Sequence, residues 1–234
     1  MHIIIFPFKF AMSDSALART TAIATLWDGG ERFECGLLLW CRSAVRLAHA
    51  IGAPEQPLII SRANQSVDCP KGRFIWPKRT AAAVKAYTAT TPAGRASLNL
   101  LKVALFGLLE FSLILFADLD VDVAPPPIGL GWPAPPGWIE RWHAGARQFW
   151  RSGAVLVGSP DHSSMLNGGV LLMKPMASVH ISALRALSHN LSFSASDGFN
   201  QIGRPQSLWH LLDISMLSLG TCMTPSQVCV CVHV

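Results

Sequence analysis

Five apolar residues in a row, Leu113-Ile114-Leu115-Phe116-Ala117, run without a break into Asp118-Leu119-Asp120-Val121-Asp122-Val123. A strand with no polar alternation is buried on both faces, as the central strand of a parallel sheet covered by helices is. Sheets of that kind collect their ligands beyond the carboxyl ends of the strands. The junction therefore sets a cluster of acids at the edge where ligands bind. Two carboxylates at i and i+2 on a strand end point the same way. Magnesium and manganese favour hard oxygen ligands, typically one or two carboxylates completed by substrate phosphate oxygens. The pattern predicts that Asp118 and Asp120 hold a divalent ion that neutralises a diphosphate. Asp122 receives no role.

The flanking sequence supplies the rest of such a sheet. Thr20 to Leu26 is β-branched and apolar and stops at Asp28-Gly29-Gly30, which reads as a buried strand and a turn. Phe33 to Ile51 repeats its apolar residues with a helical period, and Gly52 stands where a helix stops. Pro57 to Ser61 is a second strand, completing a βαβ unit. Further on, a helix is expected over Ala96–Leu109, strands over Ala154–Val157 and Val170–Met173, and helices over Val179–Leu191 and Ser207–Leu219. Between 124 and 153 the texture turns Pro- and Trp-rich, a loop-like insertion with a short helix near Ile139 to Trp150. Its tryptophans suit either stacking on sugar rings or a local apolar core. The expected organisation is one α/β domain over 20–220, preceded by an extension at 1–19 that is a weak anchor or disordered, and followed by an atypical tail at 221–234.

Half of the residues are hydrophobic and 14% are charged, so a sizeable core is available and the chain as a whole is expected to fold. A net charge of +5 suits an anionic ligand. Lys and Arg are scattered, with no run of five or six, so no nucleic-acid partner is expected. The six cysteines form no CxxC pair and no zinc-type ladder, and they leave the compartment open between cytoplasm and Golgi lumen. The apolar stretch from Leu98 to Ala117 is interrupted by Lys102 and Glu110, so no transmembrane span is expected.

Taken in order, several of these segments resemble glycosyltransferase family 8, the glycogenin-like group with a GT-A fold. Ala24-Thr25-Leu26 looks like that family's first strand, with Phe33 and Gly36 where its aromatic residue and glycine follow. Lys102, a helix, a strand and Asp118-Leu119-Asp120 resemble the family's lysine and DxD in order and length. Asn167-Gly168-Gly169-Val170 ending at Lys174-Pro175 is similar to its Asn-x-Gly-Val strand, and Ser192-Phe193 with Asp197 resembles the region of its Asp-Gln pair. The resemblance covers roughly Thr20 to Pro205.

The resemblance implies a GT-A, Rossmann-like domain with a mixed, mostly parallel sheet flanked by helices. It implies retaining, metal-dependent transfer of a sugar from a UDP-sugar donor to a carbohydrate or glycoprotein acceptor. Thr25 and Leu26 would contact the uracil and Phe33 would stack on it. Lys102 would reach the diphosphate. Asp118 and Asp120 would bind Mn2+ (or Mg2+), with Leu119 near the ribose. Asn167 and Gly168 would meet the donor sugar, and Asp197 would lie by the reacting carbon or the acceptor. Two departures qualify this. Gly198 replaces the family's glutamine, and no counterpart exists of its later His-x-Gly...Lys-Pro-Trp segment, which supplies a third metal ligand. A catalytically impaired or truncated relative is therefore the alternative, followed by a haloacid-dehalogenase-type phosphatase with Asp118 as nucleophile.

Overall fold

The computed structural model describes residues 13–30, 33–61, 68–90, 99–121, 123, 137–158, 169–188, 218–224 and 227–233, the last two segments through their backbone pairing. The chain folds as an α/β domain around a mixed sheet. In chain order the elements are α1 (Asp14–Arg19), β1 (Thr21–Trp27), α2 (Glu34–Ile51), β2 (Leu58–Ser61), β3 (Arg73–Ile75) and α3 (Lys78–Thr90). A 3-10 helix (Leu101–Gly107) follows, then β4 (Leu113–Ala117), α4 (Trp138–Arg151), β5 (Ala154–Gly158), β6 (Val170–Met173), α5 (Ala177–Ser188), β7 (Ser218–Thr224) and β8 (Gln227–His233).

Among the described residues the sheet has eight strands in the order β3-β2-β1-β4-β6-β5-β8-β7. β3, β2, β1 and β4 are mutually parallel, while β6 and β8 each pair antiparallel with both neighbours. All but those two strands therefore share one direction, the mostly parallel mixed sheet expected from the sequence. β1 and β4 pair in register Thr21↔Leu113 to Ala24↔Phe116, side by side at the centre.

Both faces are covered. On one, Ala22, Ala24 and Leu26 of β1 and Ile114 and Phe116 of β4 pack with α3, the 3-10 helix and α5. On the other, Ile23 and Trp27 of β1 and Ala117 at the end of β4 pack with α2, and Leu113 packs with α4 and with Leu17 of α1. β1 is buried along its whole length, and β4 at every position but Leu115. That is why neither shows polar alternation. α2 ends at Gly52 in the left-handed conformation (φ +71°), where a glycine stop was expected.

Several elements differ from the sequence reading. The expected helix over Ala96–Leu109 is, in its described part, largely a 3-10 helix. Every residue from Leu101 to Phe106 is buried, so no solvated stripe defines an amphipathic α-helix there. Ser218 and Leu219, expected to end a helix, open strand β7, because the Val-rich segment of β8 offers a full antiparallel ladder from Ser218 to Thr224. α1 begins inside the stretch expected to be an extension: Ser13 caps it by accepting a hydrogen bond from the Ala16 N–H at 3.2 Å, and Leu17 is buried. Cys41 and Cys69, for which spacing suggested no partner, form a disulfide. Among the described residues no helix is long and apolar enough to cross a membrane.

Gly107 closes the 3-10 helix against α5. A Cβ there would lie 2.6 Å from the His180 ring, which Thr80 holds through a 3.2 Å hydrogen bond between Oγ1 and Nε2. The ring must shift to admit the methyl group, at the expense of that hydrogen bond. Gly107→Ala is expected to destabilise the protein by about 1–3 kcal/mol, read as a lower urea midpoint at unchanged slope.

Lys174 follows β6 and is buried. Its ammonium donates to the Ser152 carbonyl at the end of α4 and lies 4.8 Å from the centre of the Phe149 ring. Burial pushes it down to about 8, from an ordinary value of 10.5. The folded protein therefore releases this proton before the unfolded chain does. Between pH 8 and 10.5 the unfolded state binds more protons, so this group raises stability as pH climbs through that window. The difference in thermal midpoint between wild type and Lys174→Met is expected to change across it; equal slopes would show the ammonium is not buried in solution.

Candidate functional site

β4 ends at Ala117, and the chain turns at once. The Val121 N–H donates to the Asp118 carbonyl at 3.0 Å, closing a turn that carries both acids. Asp118 and Asp120 therefore share a turn beyond the strand; they do not alternate on the strand itself. The Asp118 N–H donates to the Gly169 carbonyl at 2.8 Å. Because β6 runs against β4, the chain entering β6 arrives at this same edge.

The two acids differ in setting. Asp118 is about one third exposed at its side chain, whereas Asp120 stands in solvent and makes no hydrogen bond or ion pair with the described residues. Beneath Asp118 lies Lys102, with its side chain 2% exposed and Nζ 3.1 Å from Oδ1 and 3.4 Å from Oδ2. The same ammonium sits 4.5 Å from the centre of the Phe116 ring. Burial pushes the Lys102 ammonium down, and the negative charges of Asp118 and Asp120 oppose that. Burial pushes the Asp118 carboxyl up, opposed by Lys102 and reinforced by the neighbouring charge of Asp120.

Asp118, Leu119 and Asp120 line one side of a cleft of about 310 Å³, together with Leu26, Asp28, Phe33, Gly36 and Asn99. It lies at the carboxyl ends of β1 and β4, where a parallel sheet presents its ligand site. Leu26 and Phe33, expected at the base, are in the wall, and Phe33 is 38% exposed. Thr25 is not: alternation along β1 turns it to the other face of the sheet, fully buried, with a hydroxyl that finds no partner among the described residues. Lys102 is likewise absent from the wall, so its charge acts on the cleft through Asp118. Asn167, Gly168, Asp197 and Asp122 lie outside the described residues.

Two polar wall residues were not singled out as contacts from the sequence. Asp28 follows β1, and its Oδ1 accepts the Gly30 N–H at 2.8 Å, which fixes the carboxylate in the turn. A turn acid directly after a buried first strand was a usable signal. Asn99 stands one turn before Lys102, and nothing in its sequence setting marks it.

The donor set suits a divalent ion in one particular way. Asp118 and Asp120 offer hard oxygens at the cleft wall, and no group of three or more His, Cys, Asp or Glu able to hold a metal occurs among the described residues. Two carboxylates fit an ion whose remaining ligands are water and phosphate, not a permanently caged one. Compared with known proteins, the chain matches no family and no curated relative.

Proposed function

We propose that this chain is a metal-dependent glycosyltransferase that takes a sugar from a UDP-sugar and passes it to a carbohydrate or glycoprotein acceptor. The observation that carries the reading is the acidic turn of Asp118 and Asp120, seated over a buried lysine on the wall of a cleft at the carboxyl ends of β1 and β4. Leu26 and Phe33 give that cleft an apolar and aromatic wall suited to a flat base, and the acids line the same cleft.

Asp118 and Asp120 would hold Mn2+ or Mg2+. Such an ion stabilises negative charge on a departing nucleoside diphosphate. Lys102 orients Asp118 and opposes the upward push that burial gives its carboxyl. Phe33 stacks the base, and Leu119 borders the ribose. Asn167, Gly168 and Asp197 would serve the donor sugar and the reacting carbon, as the resemblance implies.

A second reading is a catalytically impaired relative with the same two carboxylates on the cleft wall. A non-catalytic relative would keep the cleft and bind nucleotide without transfer. Calorimetry with UDP, with and without manganese, followed by assay of UDP-sugar hydrolysis or transfer, separates the two. Manganese-dependent binding with turnover supports the enzyme, and binding without turnover supports the non-catalytic form. No binding ends both. Magnesium-dependent hydrolysis of a simple phosphate ester, lost in Asp118→Asn, would identify a phosphatase instead.

A further inference from the structure

Helix α4 carries one apolar stripe, Trp138, Trp142, Ala146 and Phe149, at the spacing of a single helix face. Ala146 and Phe149 are buried with Leu113, the first residue of β4. Trp138 and Trp142 pack on the core cluster that holds Ala117, the last residue of β4, and Val123. Leu119 and Val121, the apolar residues of the acidic turn, pack on that same cluster. The helix thus reaches the clusters that hold the two ends of β4, with its tryptophans in the one that the acidic turn also joins.

The lengths agree. From Trp138 to Phe149 the helix rises about 16 Å. From Leu113 to Asp118 an extended chain also advances about 16 Å. The far end of the helix is fixed, since Lys174 donates to the Ser152 carbonyl just past it and covers the Phe149 ring. Asp120, by contrast, has no polar anchor among the described residues.

We propose that Trp138 and Trp142 are positioning residues for the Asp118–Val121 turn, with α4 acting as a strut that sets where the two carboxylates stand. The turn is then held from its apolar side, through Leu119 and Val121, with both acids on the cleft wall. The link to a metal rests on the function proposed above; the strut itself does not.

The test uses the full chain with Trp138→Ala, Trp142→Ala, the double variant and Trp142→Phe. The Val121 N–H closes the turn onto Asp118, so its hydrogen exchange reports the turn directly. The double variant is expected to exchange at Val121 roughly tenfold or more faster, with Leu115 in β4 unchanged and Trp142→Phe close to wild type. Manganese-dependent UDP affinity is expected to fall about tenfold in parallel. Equal acceleration at Val121 and Leu115 would mean general loosening and would overturn the proposal, as would an unchanged Val121. Faster exchange with unaltered manganese-dependent affinity would overturn the positioning role. If the wild type shows no manganese-dependent UDP binding, the proposed function fails, and Val121 exchange still decides the strut.

Discussion

Asp120→Ala is expected to remove manganese-dependent UDP binding, lowering affinity and any transfer rate at least about 100-fold, while stability stays within about 0.5 kcal/mol of wild type. The separation follows from the exposure of Asp120 and its lack of polar partners among the described residues. Asp118→Ala should lose binding as well, yet also destabilise by about 1–3 kcal/mol, because it removes the carboxylate that lies against the buried Lys102 ammonium. Asp118→Asn keeps an oxygen for Lys102 and should fall between. Paired calorimetry and thermal melts on the three variants check this. An Asp120→Ala protein that binds UDP with manganese within about threefold of wild type would show that the turn is not the metal site.

The second large effect lies in the disulfide. Cys41 of α2 and Cys69, shortly before β3, are joined across 28 residues of chain that include β2. Closing a loop of that length restricts the unfolded chain by about 3–4 kcal/mol. For a protein of this size, loss of the bond is expected to lower the thermal midpoint by roughly 6–16 °C. The double variant Cys41→Ala, Cys69→Ala and the reduced wild type should give similar drops. A drop in the variant with no response of the wild type to reductant would mean the two thiols are not joined in solution. α2 also carries Phe33 at its N-cap and Gly36, so the bond braces one wall of the cleft. Such bonds persist in oxidising compartments.

The central sheet was legible because burial writes itself directly into sequence. β4 and β6 have no exposed polar position to satisfy, and their expected bounds match the observed strands. α2 was legible through its period and its glycine stop. What escaped depends on contacts distant in sequence. β3 is three residues long and owes its place to pairing with β2, and the 3-10 helix is buried all round by α3 and α5. The disulfide depends on the fold bringing Cys41 and Cys69 together, which spacing alone does not encode. In the site, the acids stood out as charge beside an apolar run. The depth of Lys102 and the burial of Thr25 away from the cleft did not, since each depends on which face of the sheet its element meets.

The charged side chains in the described wall of the cleft, Asp28, Asp118 and Asp120, are all acidic. A bare diphosphate would meet repulsion there, whatever the overall positive charge of the chain. On the function proposed above, donor and cation would therefore travel as one chelate, arriving together and departing together. The protein would then answer to the concentration of the metal complex and not to nucleotide alone, and scarcity of the ion would starve it as surely as scarcity of sugar.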